Sequence, residues 1–208
     1  MKFYDATLPI REGMWTFPLD PPYKSETYME AAKGDMYDLA LLSFGNHLGT
    51  HVDAPKHYSK DGITVDQIPL EVLVGPGVVL DMRSKAKIDK KDLENALKGK
   101  AERVFFKTDN GPWLLKPKSE FPGEPYKDFV HLTEEAANYL VDSKVRLAGI
   151  DYQSIGPETV HHILWDGGVT IMEGANLLDV PEGPYQVWCL PLRIEGADAA
   201  PARLVLAE

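Results

Sequence analysis

Residues 46–58 read Asn-His-Leu-Gly-Thr-His-Val-Asp-Ala-Pro-Lys-His-Tyr, and the spacing of His47, His51 and Asp53 within them restricts the backbone that can carry them. On a helix, His47 and His51 would share a face while Asp53, about 200° further round, would point away. On a strand, positions 47, 49, 51 and 53 all face one side, which gathers both imidazoles and the carboxylate. A straight strand nevertheless separates the first two α-carbons by roughly 13 Å, near the limit for two imidazoles to reach one ion at about 2.1 Å each. The chain must bend between them. Gly49 sits midway and tolerates backbone angles closed to other residues, so the spacing predicts a bent strand presenting His47, His51 and Asp53 as metal ligands.

Of the chain's 6 histidines, His47, His51 and His57 fall in this window, His161 and His162 form a second group, and His131 stands alone. His161 and Glu173 are candidates for completing a metal site, although periodicity gives no reason to prefer them to His162, Glu158 or Asp166. The competing explanation is that these histidines are surface or core residues that share a neighbourhood by chance, because short motifs of this kind occur often without function.

With 44% hydrophobic and 26% charged residues in 208, the chain has enough apolar material for a core and fits one domain over 1–208. Its 32 acidic against 22 basic residues leave a formal charge of −10, which repels phosphate backbones and anionic lipid and argues against nucleic-acid or membrane partners. The start, Met1-Lys2-Phe3-Tyr4-Asp5, lacks the apolar stretch of a secretory signal, and no segment approaches the roughly 20 uninterrupted apolar residues of a membrane span. The lone Cys189 lies in an apolar run and reads as a buried thiol. A cytoplasmic protein is expected.

Residues 1–38 suggest short strands and loops, and Tyr37–Phe44 a strand leading into the histidine window. Val72–Asp81 predicts strand, turn and strand around Gly75-Pro76-Gly77. Helices are expected over Lys90–Leu97, capped by Asp89, and from Thr133 to about Ser143, with Glu134 and Glu135 in the first turn. A further short helix should open at Gly156-Pro157, run through His161 and stop at Gly167-Gly168. Strands at 103–107, 145–150, 169–173, 186–194 and 203–207 outnumber the helices between them, which makes the class α/β with a strand-rich mixed sheet core.

The string His47-Leu-Gly-Thr-His-Val-Asp-Ala-Pro-Lys-His-Tyr58 resembles the signature of the metal-dependent cyclase family, which includes bacterial kynurenine formamidases (arylformamidases) and isatin hydrolases. Gly149-Ile-Asp-Tyr-Gln-Ser-Ile155, His161-His162 and Ile171-Met-Glu-Gly174 are similar to that family's second half, so the likeness spans nearly the whole chain. It implies a swivelling β/β/α domain, assembled as a homodimer or higher oligomer. It also implies that His47, His51 and Asp53 hold a first metal, that Asp53 bridges to a second completed by His161 and Glu173, and that His57 is the catalytic acid/base. The isatin hydrolases carry an amide at the Glu173 position and one manganese, so the carboxylate here implies two ions and a formamidase-like site. Trp15-Thr16-Phe17-Pro18 resembles the aromatic segment covering the family's active site.

Imidazoles and carboxylates suit zinc, expected first, and also manganese. His57 either carries protons or orients Asp53 through a hydrogen bond. Trp15 and Phe17 are candidates for lining a pocket over the substrate's ring, and equally for packing in the core or at an interface. The expected reaction is amide C–N cleavage of an N-formyl aryl amine such as N-formyl-kynurenine, giving kynurenine and formate. The alternatives are hydrolysis of a cyclic amide or ester, a non-catalytic metal-binding protein with a closed coordination sphere, and a soluble domain without metal.

Overall fold

The apolar and β-branched runs become strands that close on one another. In the computed structural model, which describes residues 1–97, 101–120 and 128–208, the main sheet uses β1 (Phe3–Asp5), β4 (His51–Asp53), β5 (Val74–Asp81), β6 (Arg103–Lys107), β7 (Leu147–Ile150), β8 (Thr170–Glu173), β9 (Gly183–Pro191) and β10 (Ala199–Ala207). Its order is β1-β10-β4-β8-β7-β6-β5-β9, and β9 pairs back onto β10, so β10, β4, β8, β7, β6, β5 and β9 form a ring. The segments β5 to β8 are parallel neighbours, whereas β4, β9 and β10 join antiparallel. A separate ribbon pairs β2 (Lys24–Met29) with β3 (Leu39–Ser43). The strand-rich mixed α/β class is the one expected.

Side-chain alternation sorts the core into two clusters. Val52, Val79, Phe105, Leu147, Met172, Val187 and Leu204 pack together on one face of the ring's strands. Leu80, Val104, Phe106, Ala148, Ile150 and Ile171 face the other way and are covered by helices. These are α2 (Lys90–Ala96), α4 (Glu134–Asp142) and α5 (Glu158–Asp166), with shorter turns α1 (Leu70–Leu73) and α3 (Gly111–Leu114). Asp89 and Thr133 cap α2 and α4 by accepting from Asp92 N and Ala136 N, as expected. No helix among the described residues is long and apolar enough to cross a membrane.

Phe105 is fully buried between the strands, and a Cβ added at Gly149 would strike its ring. Phe105→Ala is therefore expected to lower unfolding free energy by about 3–5 kcal/mol, measured as a shift of the urea midpoint.

Three expectations need correction. Gly75-Pro76-Gly77 makes no turn: β5 runs straight through, pairing Pro76 with Gln186, while its partnership with β6 begins only at Val78. Pro76 therefore needs no donor toward β6. The flanking glycines leave room for the buried Arg103, whose guanidinium donates to the carbonyls of Glu71 and Pro76. The last strand starts at Ala199 rather than 203, and its first residues pair with β4. The strand through the histidine window is short, since it begins only at His51, and His47 lies in the turn before it.

Candidate metal centre

Two registers and one helix assemble the site. Along β4, His51 and Asp53 alternate with Val52, so Val52 enters the core and the other two side chains share the opposite face. His51 pairs directly with Glu173 on β8, which sets the imidazole and carboxylate side by side. Gly49 has φ +62° and Gly174 φ +69°, and a Cβ at Gly174 would collide with the Gly49 carbonyl. This close passage, together with the bond from Thr50 Oγ1 to Gly174 O at 2.5 Å, folds the turn bearing His47 back over β4. The expected bend at Gly49 is thus present as a left-handed residue. His161 comes from α5 with its ring over Glu173.

The ring nitrogens are distinguished by their partners. His51 Nδ1 lies 2.9 Å from the Gly49 carbonyl and His161 Nδ1 lies 3.1 Å from that of Pro157. A carbonyl only accepts, so each Nδ1 carries a hydrogen and each Nε2 is left to face the carboxylates. His51 Nε2 meets Asp53 Oδ1 at 3.2 Å and Glu173 Oε2 at 3.5 Å, and His161 Nε2 meets Glu173 Oε1 at 3.1 Å. Asp53 Oδ1 is also 2.9 Å from His47 Nδ1. Yet His51 Nε2 and Asp53 Oδ1 are buried with no aligned hydrogen-bond partner. Imidazole nitrogens and carboxylates converging on one buried point favour positive charge between them, whether protons on the imidazoles or a bound cation.

The field at the site says the same. Burial opposes charge on His51, but the carboxylates of Asp53 and Glu173 outweigh it and pull its pKa well above the ordinary imidazole value. Burial likewise works against His161, and Glu173 reverses it upward. Burial would raise Asp53, and His51 and His47 hold it well below the usual carboxylate range. Two groups of donor atoms lie within ligand reach of one another, His47–Asp53–His57 and His51–Asp53–Glu173, with Asp53 common to both. This mixed nitrogen and oxygen set fits a divalent metal ion.

The structure also separates residues the spacing could not. His162 is turned outward toward Glu158 at 3.5 Å, away from the buried cluster. Phe17 lines the cavity of about 520 Å³ that opens onto the cluster, as do His57, Tyr58, Gln153 and Glu158. Trp15 is buried in the core, edge-on to Phe17 with ring centres 6.3 Å apart and 6.1 Å from Tyr152. His57 does not reach Asp53 through a hydrogen bond of its own: its Nδ1 faces Asp198 Oδ2 at 3.0 Å.

Asp198 is a residue that sequence reasoning missed. It bonds His47 and His57, and Asn46 Nδ2 donates to it at 2.6 Å. Burial pushes its carboxyl up, but these three partners hold it down at about 2. No local signal in Glu195-Gly-Ala-Asp198 marks it, because its partners lie about 150 residues away along the chain. Gln153 was also overlooked: it is buried beside the cavity and its Nε2 has no partner.

Asp151, in the same motif, serves the fold instead. Thr108 N and Oγ1 donate to its carboxyl at 2.7 and 2.6 Å, and burial nevertheless lifts it to about 7. Between roughly pH 4, where the unfolded chain releases this proton, and pH 7, where the folded chain does, the folded state binds more protons. Stability therefore falls as pH rises through that window. Relative to Asp151→Asn, which cannot ionise, the native chain should lose on the order of a few kcal/mol from pH 4 to 8, read from urea midpoints at several pH values.

The sequence and the fold both match known proteins. The sequence model of the family Cyclase, described as "Putative cyclase", matches residues 4–157. A kynurenine formamidase of Bacillus cereus is 30% identical across 99% of this chain and 97% of its own. One from Salinibacter ruber is 38% identical across 81% of this chain and 79% of its own. A solved structure described as a potential metal-dependent hydrolase with cyclase activity superposes with a TM-score of 0.83 at 35% identity, over 99% of this chain and 96% of the other. The matched residues include the turn and strand that carry His47, His51 and Asp53, and the chain belongs to the cyclase family.

Proposed function

We propose that this chain, working as one domain over 1–208, is a metal-dependent amide hydrolase of the arylformamidase type that cleaves an N-formyl aryl amine such as N-formyl-kynurenine to kynurenine and formate. The observation that carries the reading is the buried convergence of His51 Nε2, Asp53 Oδ1 and Glu173 Oε2, the first two of which have no aligned hydrogen-bond partner. The two relatives named kynurenine formamidase support the substrate.

In this reading His47, His51 and Asp53 hold one ion, and Asp53, His161 and Glu173 hold a second. Zinc suits this set first and manganese also fits. Metal bound there supplies Lewis-acid polarisation of a carbonyl and acidification of water. The chain's own residues do the rest. With His57 Nδ1 engaged by Asp198, its Nε2 is left to take a proton from the attacking water and to deliver it to the departing aryl amine nitrogen. A C–O bond forms as the C–N bond breaks, and formate leaves. Phe17, which lines the cavity, supplies an aromatic ring for the aryl group to pack against.

The ribbon of β2 and β3 supports a homodimer, since Leu39, Leu41 and Leu42 are exposed on it and an isolated two-stranded ribbon is marginal in water. The acidic charge and single buried Cys189 suit a cytoplasmic enzyme acting on a small molecule. The test is metal analysis of the purified protein paired with an assay of formate release from N-formyl-kynurenine. Stoichiometric metal with formate release is the expected result. Turnover only of cyclic amides would replace the substrate, and protein without metal would overturn the reading.

A further inference from the structure

The geometry points to Asp198 as a positioning residue that decides which ring nitrogen of His47 and of His57 carries hydrogen, binding a metal ligand and the proton carrier to one carboxylate oxygen. The inference rests on the proposed role of His57.

Asp198 is placed by the sheet. Ala199 pairs with Asp53, and the Asp198 carbonyl accepts from Ala54 N at 2.8 Å, so the side chain starts from backbone already locked to β4. Asn46 Nδ2 donates to Oδ1 at 2.6 Å and also reaches the Ala199 carbonyl at 3.4 Å, which fixes the rotation of the carboxylate. Oδ2 is then left for the two imidazoles: His47 Nε2 and His57 Nδ1 each lie 3.0 Å from it. The rings themselves sit 4.1 Å apart, centre to centre.

An ionised carboxylate accepts hydrogen bonds and donates none, so both nitrogens facing Oδ2 must bear hydrogen. The opposite nitrogens follow. His47 Nδ1 becomes the bare one, and it is the atom found 2.9 Å from Asp53 Oδ1, inside the donor group around Asp53. His57 Nε2 becomes the free base. A carboxylate that orients a metal-bound imidazole raises its basicity and fixes its tautomer, and losing such a partner generally reduces metal affinity or activity by roughly 10–100-fold. Here one oxygen does this for a ligand and for its neighbour together. In a neutral amide with Asn46 still donating to its oxygen, the NH2 group takes the place of Oδ2, where it donates to both rings and accepts from neither.

The experiment uses the zinc-loaded protein and Asp198→Asn. Three quantities are read: nitrogen NMR of the histidine tautomers, zinc affinity by chelator competition, and kcat and KM for N-formyl-kynurenine. The native protein should show hydrogen on His57 Nδ1 and His47 Nε2. In the variant both of these assignments should be lost, zinc should bind roughly 10-fold or more weakly, and kcat should fall by roughly 10–100-fold with KM little changed. Hydrogen on His57 Nε2 in the native protein overturns the inference even if the variant fails to fold. Unchanged tautomers and unchanged zinc affinity in a folded variant overturn it as well. If the native protein releases no formate, the function proposed above fails, while the tautomers and the zinc affinity still decide what Asp198 does.

Discussion

Glu173→Ala is expected to release metal and to reduce turnover by more than the roughly 100-fold upper range seen when an orienting partner is lost. The carboxylate touches three groups at once: His161 Nε2 at 3.1 Å, His51 Nε2 at 3.5 Å, and the Ile155 N–H, which donates to it at 2.8 Å. Its removal leaves the buried imidazoles of His51 and His161 without a balancing carboxylate, and breaking a buried charged set in this way costs about 3–5 kcal/mol. The orphaned Ile155 amide adds about 1–3 kcal/mol. Metal content by mass spectrometry and the thermal midpoint are the readouts. Full metal occupancy with native turnover would remove Glu173 from the site.

His57→Ala separates two roles that the geometry brings close together. His57 lies with His47 and Asp53 within ligand reach, yet its Nδ1 is taken by Asp198, which suits a proton carrier. Loss of a positioned acid/base lowers kcat by about 10²–10⁴-fold, so the variant should keep its metal and nearly lose turnover. Loss of one equivalent of metal would make His57 a ligand instead. Full activity would leave it no part in the chemistry.

Much of the local structure was legible in the residues. Asp89 and Thr133 mark helix starts because a side-chain oxygen accepts from an amide only three residues on. The placing of His51 and Asp53 on one face follows from the period of a strand, and Gly49 from the need to turn. Where local cues failed, distant contacts had overruled them. Gly75-Pro76-Gly77 looks like a turn until the buried Arg103 side chain is seen to need the space. The early start of β10 at Ala199, in spite of Pro201, depends on β4 lying alongside.

What the order of amino acids determined by itself is the side-chain chemistry of the window and the bend within it: imidazoles and a carboxylate at a spacing that brings them together only if the chain turns at Gly49. Tertiary structure alone turned His161 toward Glu173 and His162 outward, set Glu173 opposite His51, and delivered Asp198 to His47 and His57. The physical reason is range. Periodicity and capping act over a turn or two of chain, whereas these choices are made by sheet register and by a helix laid across it, which join residues more than a hundred positions apart.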